Sequence, residues 1–194
     1  MLRLAMLCTA ALVVSACNRN DAADETANQA NAVNDTAEAS ANADAAALGE
    51  GWSTEIRDGS GKDVGLLSYV NGDPKGLPLT IRVHDLPPGD HGMHLHQSGK
   101  CEGPKFESAG AHWNPAGRQH GHDNPQGAHA GDLPNLRVDA NGNGKAEYLL
   151  PKDSGERPQG LALVIHADPD DDKTDPSGNS GERIACAVLF PAPN

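Results

Sequence analysis

Nine histidines, at positions 84, 91, 94, 96, 112, 120, 122, 129 and 166, hold the densest potential chemistry in this chain. His94 and His96 are separated by one leucine inside a stretch that reads as a strand. Side chains alternate across a strand, so both imidazoles project from one face. Two ring nitrogens a few ångströms apart are half of a copper site, because imidazole suits copper and zinc alike. By itself, a His-X-His on a solvent face arises more often by chance than as a metal site. Downstream, His112, His120, His129 and Asp132 are spaced by 8, 9 and 3 residues. Three imidazoles and one carboxylate complete a closed four-coordinate zinc site of the kind that stabilises structure. Glycines at 110, 117, 121, 127 and 131 let this segment fold back on itself, which a solvated His-rich loop does not need. His166 ends the apolar run Leu161-Ala162-Leu163-Val164-Ile165, where a polar side chain either caps a strand or ligates.

These groups need a rigid frame, and the sequence predicts one made of strands. Candidates are 52–57, 63–71, 78–84, 91–97, 135–139, 144–150, 160–166 and 183–190, separated by turn chemistry such as Asn71-Gly72 and Asn141-Gly142-Asn143-Gly144. Eight short strands with Gly/Pro punctuation argue for an all-β, antiparallel sandwich or barrel. Residues 97–134 and 167–182 break the rhythm. Loops that long are uncommon in a compact domain unless they are functional or disordered, and the histidines favour function.

Four segments resemble a known family. His91-Gly92-Met93-His94-Leu95-His96 and Ser108-Ala109-Gly110-Ala111-His112-Trp113-Asn114-Pro115 are similar to the copper-binding core of copper/zinc superoxide dismutases. His129-Ala130-Gly131-Asp132-Leu133-Pro134-Asn135 resembles the end of their zinc loop, and Gly181-Glu182-Arg183-Ile184-Ala185-Cys186 their C-terminal active-site segment. The likeness runs through 49–194 in order, and the position of Cys101, five residues after His96, is similar to the bacterial branch. It implies an eight-stranded Greek-key fold and superoxide as the substrate, with copper and zinc as cofactors. The resemblance further implies copper at His94, His96, His112 and His166, and zinc at His112, His120, His129 and Asp132, with His112 bridging the two. Arg183 would guide substrate, and Cys101 and Cys186 would form a disulfide. Asp170 best fits the carboxylate linking a copper histidine to a zinc histidine, with Asp171 as the alternative. His91 matches a buried structural position, His122 reads as an exposed loop residue, and His84 matches nothing functional. Lys100, Lys105 and Lys173 either extend the field at the copper or are simply solvated.

The ends of the chain carry a different message. Residues 1–16 read as an export signal, with Arg3, an apolar run and a small-residue stop, too short to span a membrane. Val14-Ser15-Ala16-Cys17 resembles a bacterial lipobox, which implies a lipid-modified Cys17; a simple cleaved signal is the alternative. Residues 17–48 are almost wholly Asn, Ala, Asp, Glu and Thr and read as a flexible tether. The expected location is the periplasmic side of a bacterial envelope. By family resemblance, Asn18 in place of aspartate favours the outer membrane. The domain from 49 onward carries 13 Lys/Arg against 21 Asp/Glu, a formal charge of −8 that offers no basic patch for nucleic acid. Nothing decides between a monomer and a homodimer. Two rivals remain: an envelope carrier of copper or zinc, and a dismutase-like domain without activity. A carrier has no need for Arg183.

Overall fold

The computed structural model describes residues 51–71, 73–153 and 155–192. The export signal, Cys17 and the tether up to residue 48 lie outside these residues.

Eight strands form in the order β1 (Gly51–Asp58), β2 (Asp63–Val70), β3 (Gly76–Val83), β4 (Gly89–His96), β5 (Asp132–Val138), β6 (Gly144–Pro151), β7 (Leu161–His166) and β8 (Arg183–Phe190). All pair antiparallel into a closed barrel, β1-β2-β3-β6-β5-β4-β7-β8. Two of its seams are thin. β5 meets β6 through Val138 and Gly144, and β1 meets β8 through Arg57–Cys186 and Asp58–Ala185. The barrel therefore packs as two sheets, β1-β2-β3-β6 against β5-β4-β7-β8, which is why the sequence reads equally as sandwich or barrel.

Alternation builds the interior. Leu67 and Leu79, Ile81 and Val83 from one sheet meet Met93 and Leu95, Leu161, Leu163 and Ile165 from the other, all buried. On β4 this leaves His94 and His96 on the opposite face from Met93 and Leu95. That outer face carries its own small core of Phe106, Ala109, Ala162, Val164 and Cys186, with Cys101 packed beside it. The long loop after β4 folds onto it through a single 3-10 turn, Glu107–Ala109, and the Cys101–Cys186 disulfide closes the attachment.

Most strand ends lie within one or two residues of the sequence expectation, and one moves by three. β5 begins at Asp132 rather than 135, because a bulge between His91 and Met93 lets Met93 pair with Leu133 and His94 with Asp132. The metal-rich loop thus ends at 131, and Asp132 stands on a strand directly beside His94.

The disulfide closes a sequence separation of 85 residues. In the chain-entropy model such a crosslink stabilises by about 4–5 kcal/mol. The variant Cys101→Ser/Cys186→Ser is expected to melt well below the parent while the barrel stays folded. Circular dichroism melts with and without reductant check this, and a parent protein insensitive to reductant would contradict it.

Candidate metal centre

Register brings the histidines together. His94 lies between Asp132 on β5 and Val164 on β7, and His96 pairs with Ala162 and forms an isolated bridge to His112. At the end of the β7–β8 ladder His166 faces Arg183. The ligating atoms of His94, His96, His112 and His166 all lie within 4.8 Å of one another, in a fully buried cluster.

Each ring is oriented by one nitrogen and left open at the other. His96 Nδ1 donates to the Gly110 carbonyl at 2.9 Å, and His166 Nδ1 to that of Gly181 at 3.2 Å. His94 Nε2 donates to Asp170 Oδ2 at 2.6 Å. What remains is His94 Nδ1, His96 Nε2 and His166 Nε2, three buried ring nitrogens with no hydrogen-bond partner. Buried polar atoms are normally paired, so three converging orphans mark a place for a cation that prefers imidazole.

A second set sits on the far side of His112. The Nδ1 atoms of His112, His120 and His129 lie 3.1, 3.0 and 3.2 Å from Asp132 Oδ1, and those of His112 and His129 are 3.4 Å apart. A tetrahedral zinc with bonds near 2.0–2.1 Å has ligand–ligand edges of roughly 3.3 Å, close to these four separations. His94 is also within reach of His112, His120 and Asp132. Its Nε2 is committed to Asp170, however, and it belongs with the first set. His112, stacked on His94 with ring centroids 3.9 Å apart, is the ring placed between both sets.

Asp170 ties the two together, Oδ2 on His94 and Oδ1 on His120 Nε2 at 3.0 Å. Asp171 instead faces solvent and holds its own loop through Thr174 and Asn179. A residue the sequence reading left without a role, Asn135, clasps Asp170 twice, donating Nδ2 to its carbonyl and accepting its N–H. Gly178 makes room for this carboxylate: at φ +62 any β-carbon there would lie 1.7 Å from Asp170 Oδ1. His91 is buried with its two ring nitrogens against the carbonyls of His166 and Pro87. His122 is exposed and paired with Asp172, and His84 lies at the surface near Asp85. Lys100, Lys105 and Lys173 are all exposed.

Arg183 is half-buried. Its Nη1 donates to the Phe106 carbonyl and its Nη2 to the Gly110 carbonyl, each at 2.7 Å. Gly110 O thus serves both His96 and Arg183, which fixes the cation beside the first histidine set. Sequence reasoning missed both carbonyls, because backbone acceptors leave no trace in residue type.

Burial lowers the basicity of three rings in the first set. It pushes His112 down to about 4, His166 down to about 3 and His96 well below the ordinary value. Neutral imidazole is the form that binds metal. Burial also pulls on His120, but its bonds to Asp132 and Asp170 outweigh that and raise it to about 10. In the metal-free protein, His112 and His166 stay neutral when folded while the unfolded chain takes up protons near the ordinary 6.5. Their stabilisation is therefore present above that pH and lost as pH falls toward 4. His120 acts in the opposite direction: its contribution is complete below 6.5 and fades as pH rises toward 10. At about 1.4 kcal/mol per pH unit of displacement, His112 alone accounts for on the order of 3 kcal/mol. The metal-free protein is expected to melt highest near neutrality and fall steeply from pH 7 to 4. A flat profile in calorimetry across that interval would contradict it.

Comparison with known proteins agrees with the geometry. A family profile described as copper/zinc superoxide dismutase (SODC) matches residues 64–189. A Cu-Zn superoxide dismutase of Aquifex aeolicus is 40% identical over 144 residues, covering 70% of this chain and 84% of that protein. One from Caulobacter vibrioides is 40% identical over 144 residues, covering 69% and 82%. The crystal structure of a superoxide dismutase-like protein from Bacillus subtilis superposes with a TM-score of 0.66 at 40% identity, covering 71% of this chain and 97% of that one. The profile spans most of the barrel and these relatives more than two thirds of the chain. The chain belongs to the copper/zinc superoxide dismutase family, enzymes with superoxide as substrate and copper and zinc as cofactors.

Proposed function

We propose that dismutation in this chain runs at a copper held by His94, His96, His112 and His166, beside a zinc held by His112, His120, His129 and Asp132. Arg183 draws the anion in, and the domain works in the bacterial envelope on a lipid anchor at Cys17. The observation that carries the site assignment is the set of three orphaned ring nitrogens converging beside His112. Bound there, copper supplies the one-electron cycling that turns two superoxide anions and two protons into dioxygen and hydrogen peroxide, while zinc supplies fixed positive charge. The chain's own residues do the rest. His94, His96 and His166 are locked as single tautomers by Asp170, Gly110 and Gly181. His112 keeps Nδ1 toward Asp132 and presents Nε2 to the copper side, the atom at which a proton can be held and passed to product. Arg183 places a fixed cation beside this set, where it counters locally the domain's formal charge of −8 for an incoming anion.

Metal analysis of purified protein, paired with superoxide turnover before and after copper loading, tests the site. One copper and one zinc per chain with copper-dependent turnover is the expected result, and full metal content without turnover would leave only a carrier.

The anchor is tested separately. A chain beginning at Leu48 and the full-length Cys17→Ser variant are both expected to keep full specific activity, because residues 17–48 contribute no ligand. The full-length parent is expected in outer-membrane fractions and Cys17→Ser in the soluble periplasm. Fractionation with lipid labelling checks this, and a large loss of activity on truncation would show that part of the catalytic domain begins earlier.

A further inference from the structure

Both carbonyls that hold Arg183 belong to one short turn: Phe106 stands immediately before Glu107–Ala109 and Gly110 immediately after. We propose that Phe106 is the positioning residue for Arg183, its buried ring setting the direction from which the guanidinium meets incoming superoxide. This rests on the reading of Arg183 as the substrate guide.

The backbone carries the argument. Phe106 sits at φ 54, ψ 29, in the left-handed region. For a bulky aromatic that is a strained conformation, while glycine takes it freely. Strain of this kind persists only where the surroundings over-determine it. Here they do: the ring is 2% exposed and seated among Ala109, Ala162, Val164 and Cys186, with Cys101 packed alongside. Its N–H donates to the Glu102 carbonyl, and its own carbonyl accepts from Ala109 N–H as well as from Arg183. Ring, turn and carbonyl therefore move as one piece. The ring is keyed into β7 and β8, the strands that also carry His166 and Arg183, so the turn and the guide share one foundation. Gly110 cannot do this alone. Its carbonyl is shared with His96 Nδ1, and it has no side chain to anchor the turn.

Phe106→Gly in the copper- and zinc-loaded enzyme is the direct test. It keeps the carbonyl, relieves the left-handed strain and deletes only the ring. Metal content is expected to match the parent. Turnover per enzyme at low substrate and low salt is expected to fall roughly tenfold, the scale of a small misplacement of a guiding group. The decline of rate with added salt should flatten, since less of the rate then depends on steering. Phe106→Leu, which refills the pocket, should restore most of the rate and the salt dependence. In an Arg183→Ile background Phe106→Gly should cost nothing further, as two changes acting through one group do not add. Should Phe106→Gly fail to retain metal, Phe106→Asn, a residue that tolerates the left-handed region, gives the same reading in the same cycle. Parent-like rate and salt dependence in Phe106→Gly, or an equal further loss in the Arg183→Ile background, would overturn this inference alone. A parent-like rate for Arg183→Ile would overturn the guide reading itself, and this inference with it.

Discussion

His96→Ala is expected to abolish superoxide turnover, to below a thousandth of the parent, while leaving the barrel folded. His96 is fully buried on β4, with Nδ1 anchored on Gly110 and Nε2 unpartnered. Removing the ring takes one of four copper donors. The fold gives up little, because Gly110 O keeps its bond from Arg183 and Met93 and Leu95 still fill the core behind. Deleting a buried nitrogen that has no partner also relieves a desolvation cost in the metal-free state. His129→Ala should behave differently. It removes a corner of the zinc set, so zinc content and melting temperature should fall together while part of the copper-dependent turnover survives. Turnover, metal content and melting measured on both variants decide the matter. Equal losses of activity with no difference in melting would mean that the two sets are not divided between redox and structural work.

The second large effect belongs to Arg183. Arg183→Ile should lower the rate at low salt by an order of magnitude or more, on the scale of lost electrostatic stabilisation of an anion. Arg183→Glu should be slower again, because repulsion replaces absence. Much of the enzyme's salt dependence should disappear with either change, since ions screen the attraction of a charged substrate. From the sequence alone Arg183 has no partner, and its loss looks free of any cost in stability. The Phe106 and Gly110 carbonyls change that expectation. Hydrogen bonds to a charged group contribute about 1.5–3 kcal/mol each, so both variants should also melt somewhat lower, with metal content kept. A parent-like rate for Arg183→Glu at low salt would mean that superoxide is not drawn in past this residue, and the carrier reading would have to be reopened.

How much of this was legible beforehand depended on where the information sits. His94 and His96 announce themselves because a two-residue period places both on one face, and the strands came out within a few residues because their apolar alternation is regular. Asp132 was legible by type and misplaced by element. A β-bulge at His91–Met93 has no residue signature, so the start of β5 looked like loop. Asn135 sat inside a quoted motif without a role, because its task is to hold the backbone of a residue 35 positions away. The carbonyls of Phe106, Gly110 and Gly181 were invisible for the most general reason: every residue has a carbonyl, and only the fold decides which one is aimed. The assignment of specific residues to specific metals came from family resemblance, and the convergence of unpartnered ring nitrogens is the observation on which the proposed copper grouping rests.

The two thin seams of the barrel divide the molecule's obligations. Every strand that bears a proposed ligand, the guiding arginine or the bridging cysteine lies in the contiguous sheet β5-β4-β7-β8. The sheet β1-β2-β3-β6 supplies the other wall of the core and, among the described residues, joins its neighbour's ladder at three residue pairs. Sequence drift on its outer face, at Leu66, Lys145 and Glu147 among others, is therefore insulated from the chemistry. Two places tie the halves more closely: Tyr148 on β6 lines a cavity with His129 and Asp132, and at Gly59 in the β1–β2 turn a β-carbon would lie 2.5 Å from the Pro104 carbonyl in the loop that carries Cys101. A lineage can thus rewrite the outer face of half this barrel for new surroundings, new partners or a new working temperature, and leave the metal-bearing half as it was.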